Sequence, residues 1–65
     1  MTITQRVIAE VRLFPGYSAG YYAAAAGVTR EQFRAVARRS LTVRKPGDDG
    51  WDFSYTAYFP QASRT

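Results

Sequence analysis

At Ser40 the spacing of apolar residues changes from helical to alternating, so the chain reads as helices followed by strands. Upstream, Ile3, Val7, Val11 and Phe14 recur at helical spacing with Ile8 beside them. Phe33, Val36, Ala37 and Ser40 gather on one face of a later helix, opposite Glu31, Arg34, Ala35 and Arg38. Downstream, Leu41 and Val43 alternate with Thr42 and Arg44. Trp51, Phe53, Tyr55, Ala57 and Phe59 then alternate with Asp52, Ser54, Thr56 and Tyr58. Between the two runs lies Pro46-Gly47-Asp48-Asp49-Gly50, a turn by composition. Together they predict a hairpin with one apolar face, which is unstable alone and must pack on the helices. This parity turns Trp51, Phe53 and Phe59 toward the helices and Tyr58 away from them.

The helix boundaries are marked by local chemistry. Thr2 followed by Gln5 three residues later is a capping-box pattern, and Pro15-Gly16 stops the helix predicted over 3–14. Ser18 caps a short helix, Ala19 to Ala26, closed by Gly27 at a left-handed position. Thr29 and Gln32 repeat the capping box and open a third helix that runs to Ser40. Pro60 ends the second strand, and 61–65 read as a loose tail. The expected domain is therefore residues 1–60, of α+β class. At 65 residues it has room for one thin core and no second domain.

Composition narrows the chemistry. The chain has no histidine and no cysteine, hence neither the commonest general base nor a thiolate. That argues against a hydrolase, a metalloenzyme or a redox protein, and no enzyme activity and no cofactor are expected. No apolar run approaches a membrane span, and the first residues lack the pattern of a signal peptide. A soluble, cytoplasmic protein with no membrane partner is the default. Ten aromatic residues would suit base stacking on single strands, but a small core needs their volume, and core is the expectation. Tyr21 and Tyr58, pointing away from that core, are candidates for a protein interface.

Charge is concentrated. The net charge is +4, yet residues 30–45 alone carry Arg30, Arg34, Arg38, Arg39, Arg44 and Lys45 against Glu31, a local +5. Five of those six cations are arginine, the side chain suited to phosphates and guanine edges.

The segment Ala19 to Arg38 resembles the helix-turn-helix of DNA-binding proteins. Ala23 stands where a small residue lets the second helix cross closely, and Gly27 where the chain reverses. Val28 fills the angle between the helices, Phe33 and Val36 dock the second helix, and Tyr22 and Ala26 complete the core positions. With a helix before it and a hairpin after it, roughly residues 2–59 are similar to the winged helix-turn-helix superfamily, including the small excisionases and regulators of phages and mobile elements. The resemblance implies a three-helix fold with a C-terminal β-hairpin wing.

It also implies double-stranded DNA as partner, read by the helix Thr29–Ser40 in the major groove. Thr29, Arg30, Glu31, Arg34, Ala35 and Arg38 become the groove-facing set. Arg30 and Arg34 are placed to pair with guanine, worth about 1–3 kcal/mol against a wrong base. Glu31 either accepts from cytosine or favours the helix N-terminus through its dipole. Ala35 lets the helix sit deep, and Arg38 and Arg39 are expected to grip the phosphate backbone. Arg44 and Lys45 on the wing are expected to reach flanking phosphates. The tip Asp48-Asp49 departs from the family pattern, because carboxylates are repelled by phosphates: either the wing stays on the backbone with its tip held away, or the tip serves another partner. A homodimer or cooperative assembly on DNA is expected for so small a reader. The rival expectation is a protein-binding winged helix acting as a phage-type inhibitor or adaptor.

Overall fold

The structure is a computed structural model and describes residues 2–61; Met1 and residues 62–65, most of the stretch read as a tail, lie outside it. Helices α1 (Ile3–Leu13), α2 (Ala19–Ala26) and α3 (Arg30–Ser40) precede strands β1 (Leu41–Arg44) and β2 (Ala57–Pro60), which pair antiparallel. The layout is α+β, with the two strands packed on the helices.

Each helix starts where its cap residue predicts. Thr2 Oγ1 accepts from Gln5 N at 3.1 Å while Thr2 N donates to Gln5 Oε1 at 3.0 Å, and Thr29 and Gln32 make the same reciprocal pair. Gly27 ends α2 at φ +71°; its N–H donates to Ala24 O, and Val28 N donates to Ala23 O at 2.9 Å. This is the left-handed reversal that glycine adopts without a Cβ clash.

The core joins Val7 and Val11 of α1, Tyr22, Ala23 and Ala26 of α2, and Phe33, Val36 and Ala37 of α3. Ile3 and Phe14, on the same predicted stripe as Val7 and Val11, are exposed. Phe33 stacks on Tyr22 with ring centroids 5.4 Å apart, and Tyr58 meets Phe33 edge-on at 4.7 Å. The Tyr22 hydroxyl donates to Phe14 O and accepts from Tyr17 N at 3.0 Å, tying the α1–α2 turn to the core. Burial pushes the Tyr22 phenol above its ordinary value, with the Tyr17 N–H acting in the opposite direction. Tyr17 also bridges to Tyr58, extending the sheet by one pair beyond β2.

The hairpin corrects two expectations. The second strand is paired only over Ala57–Pro60, because residues 51–55 close on themselves: Trp51 Nε1–H donates to Tyr55 O at 2.8 Å. The parity also differs in part from the one expected, because β2 is covered on both faces: Ala57 is fully buried on one and Tyr58 on the other. Val43 pairs directly with Tyr58, and directly opposed residues share a face, so Tyr58 follows Val43 and Leu41 to the helix side. Tyr58 is buried as a result and belongs to the core, whereas the sequence reading pointed it away from the core. Phe59 joins Trp51 in a separate cluster at 5.8 Å, and Phe53 packs on Trp51 while remaining 57% exposed. Phe53 is therefore not core.

Candidate nucleic-acid interface

Helix α3 is held by Phe33, Val36 and Ala37, so its other sides face outward. Arg30, Glu31, Arg34, Arg38 and Arg39 are exposed and Ala35 is half-buried. Arg30, Arg34 and Arg38 are spaced by four residues and form one stripe. That stripe lines an open groove of about 860 Å³ bounded by the start of α2, by β1 and by the residues leading into β2. Its floor is the core itself, where Ala37, Leu41 and Tyr58 reach the surface. Lys45 lines the groove from the sheet side, so among the described residues four cations border it and no acidic side chain does.

The strand alternation separates two cations that the sequence reading paired. Leu41, Val43 and Lys45 share the groove side, two residues apart. Arg44 falls on the other face and donates from Nη1 to Asp49 O in the turn. Arg44 therefore stands apart from the groove stripe, with one of its donors on the turn. Arg39 is also off the groove, about 100° around α3 from Arg38. Thr29, Glu31 and Ala35 lie on α3 outside the groove lining; Thr29 is committed to its capping box and Glu31 sits in the first turn, where its charge favours the helix dipole.

The acidic tip has a local explanation. Asp48 Oδ2 accepts from Lys45 N at 2.7 Å, Asp48 N donates to Lys45 O at 3.0 Å, and Trp51 N donates to Asp48 O at 2.7 Å. Asp48 thus builds the turn. Tyr21, the other candidate for a partner surface, is exposed as expected.

Two walls of the groove were missed in the sequence. Ser18 to Gly20 form one wall, and Tyr55 and Thr56 form part of another. Gly20 carried a usable signal. A glycine inside an alanine-rich helix costs about 1 kcal/mol, which points to a close approach. The approach is by Arg30, whose Nη2 would lie 3.2 Å from a Cβ at position 20.

No protein-family model matches the chain, and comparison with curated proteins and with solved structures found no match. Among the described residues no helix is long and apolar enough to cross a membrane, and no three histidine, cysteine or acidic side chains gather as a metal site.

Proposed function

We propose that this chain binds double-stranded DNA sequence-specifically as a winged helix-turn-helix, serving as a small transcriptional regulator or an excisionase-like architectural factor. The observation that carries the reading is the stripe of Arg30, Arg34 and Arg38 sharing a concave groove with Lys45 and, among the described residues, with no carboxylate. A groove of one charge sign focuses its field on a polyanion. The reading is supported by the positions that the motif requires. Gly27 has a positive φ, Ala23 and Tyr22 are buried, Val28 packs on the core, and Phe33 and Val36 hold α3 while its arginines stay outside. The longest extent of the chain is 34 Å, about one turn of duplex. A reader of that length gains useful specificity through a dimer or through neighbouring copies on DNA. Selection from a random duplex pool tests the proposal. A defined sequence should emerge, and Arg34→Ala should relax one position of it by about 1–3 kcal/mol. Recovery of no preferred sequence, with binding unchanged by Arg34→Ala, would exclude it.

One observation favours a second reading, a protein-binding module. Leu13 is 67% exposed, and beside it Phe14, Tyr17 and Tyr21 are exposed with ring centroids 4.5–6.5 Å apart. This neutral aromatic patch has the composition of an interface centre. A stoichiometric protein partner lost on Leu13→Glu, in a protein with no salt-sensitive duplex binding, would select that reading.

A further inference from the structure

Of the five glycines, four adopt a positive φ, and Gly20 is the exception. It is the second residue of α2, in ordinary helical backbone, so no turn or reversal requires it. In a helix otherwise built of alanine and tyrosine, alanine at this position would be the better helix former. The reason for the glycine is therefore spatial. A Cβ at position 20 would meet Arg30 Nη2 at 3.2 Å, Nε at 3.6 Å and Cζ at 3.7 Å. These three nearest atoms belong to one guanidinium, so the group as a whole lies against α2. Nothing in this arrangement favours the fold. The glycine weakens α2, and Arg30 stands in the first turn of α3, where a positive charge opposes the helix dipole. Among the described residues no acidic side chain borders the groove to offset that charge. A contact unfavourable at both of its ends is accounted for by what the groove binds.

We propose that Gly20 is a positioning residue for duplex binding: its missing side chain seats the Arg30 guanidinium on the groove wall, where it holds a phosphate of the DNA backbone. This rests on the duplex reading above and separates Arg30 from Arg34, which the sequence pattern treats alike. An arginine that reads a base must extend into the plane of a base pair. A guanidinium laid along the neighbouring helix meets the strand that flanks the groove, and such a contact fixes register without reading sequence. A methyl group at position 20 stands closer to Nη2 than ordinary van der Waals contact and moves the guanidinium off its seat. The side chain that must move is long and flexible, so the backbone stays in place and the loss falls on binding.

The experiment measures duplex affinity and thermal stability for the wild type, Gly20→Ala, Arg30→Ala and the double variant. Gly20→Ala should raise the melting temperature by roughly 2–8 °C. It should nonetheless weaken binding about three- to tenfold, by the same factor on the preferred duplex and on its single-base variants. Arg30→Ala should weaken binding by about tenfold or more, lower the salt slope by about 0.9 and relax no base position. The double variant should bind as Arg30→Ala does, because no guanidinium is left to displace. A merely structural role for Gly20 would move stability and binding together. Wild-type affinity in Gly20→Ala overturns the proposal. So does a further loss when Gly20→Ala is added to Arg30→Ala, or a relaxed base position in Arg30→Ala. Failure of the duplex reading is recorded separately, as a wild type with no salt-sensitive duplex binding, and the proposal then falls with it.

Discussion

Arg38 and Arg39 are adjacent and equally charged, so the groove assignment is tested most sharply by neutralising each in turn. Arg38 lines the groove and Arg39 does not. If Arg30, Arg38 and Lys45 each neutralise one phosphate while Arg34 reads a base, the slope of log affinity against log salt is about −2.7, at roughly 0.9 per contact. Raising salt from about 50 to about 200 mM then weakens binding by about 40-fold. Arg38→Ala removes one contact and lowers the slope to about −1.8, so the same change in salt costs about 12-fold. Arg39→Ala should leave the slope at its original value. Both substitutions remove one exposed positive charge from the last turn of the same helix, so their effects on net charge and on the helix dipole are alike. Fluorescence anisotropy on one duplex across a salt series measures all three proteins. Equal slopes for the two variants would refute the reasoning, because binding would then follow overall charge and not the groove.

Two further predictions concern the frame that holds α3. Gly27→Ala should destabilise the fold by about 1–2 kcal/mol and lower the melting temperature by roughly 5–15 °C; a Cβ there meets nothing within 4 Å, so the cost comes from the backbone at φ +71° alone. A thermal melt matching that of the wild type would show that the reversal tolerates other conformations. Tyr22→Phe should cost about 1–3 kcal/mol at neutral pH, because Phe14 O and Tyr17 N lose the hydroxyl between them. The folded chain holds the phenolic proton more tightly than the unfolded chain, so this share of stability is intact below pH 10.0, the ordinary tyrosine value, and is lost as pH rises beyond it. Denaturant melts on both sides of that pH should show a smaller alkaline loss in Tyr22→Phe; an equal loss would assign the effect to other groups.

The helices were legible because their ends are written in short-range chemistry. Thr2 and Gln5, Ser18, Gly27, and Thr29 and Gln32 each act within three or four residues, and each acts as its position predicts. The hairpin was legible only in part. A run alternating from Trp51 to Phe59 fits either parity, and the choice between them is made by which residue of β1 stands opposite, a contact 15 residues away for Val43 and Tyr58. Sequence alternation carries no information on that register. The loop over residues 51–55 was hidden for the same reason: an indole bond to Tyr55 O competes with strand pairing, and nothing in the pattern marks it. The cations of α3 were legible as a set. Their division into a groove stripe and an outlying Arg39 required knowing which side of α3 the sheet would occupy.

That division explains how so short a chain keeps structure and binding apart. β1 places Leu41 in the core and Val43 and Lys45 along the groove, all on one side, while Arg44 on the opposite side secures the turn. β2 contributes Tyr58 to the core from that same side and Phe59 to the Trp51 cluster on the other. The groove floor is therefore the outer surface of the core: Tyr58 touches Phe33 below and lines the groove above. Tyr58 belongs to core and groove at once, so a substitution that loosens Tyr58 should loosen the spacing between Lys45 and the arginines of α3. The energetic consequence is directional. Mutations at the exposed arginines should change binding with little effect on stability, whereas changes at Phe33 or Tyr58 should change both together, because the side chains that bury apolar area also set the distance across the groove.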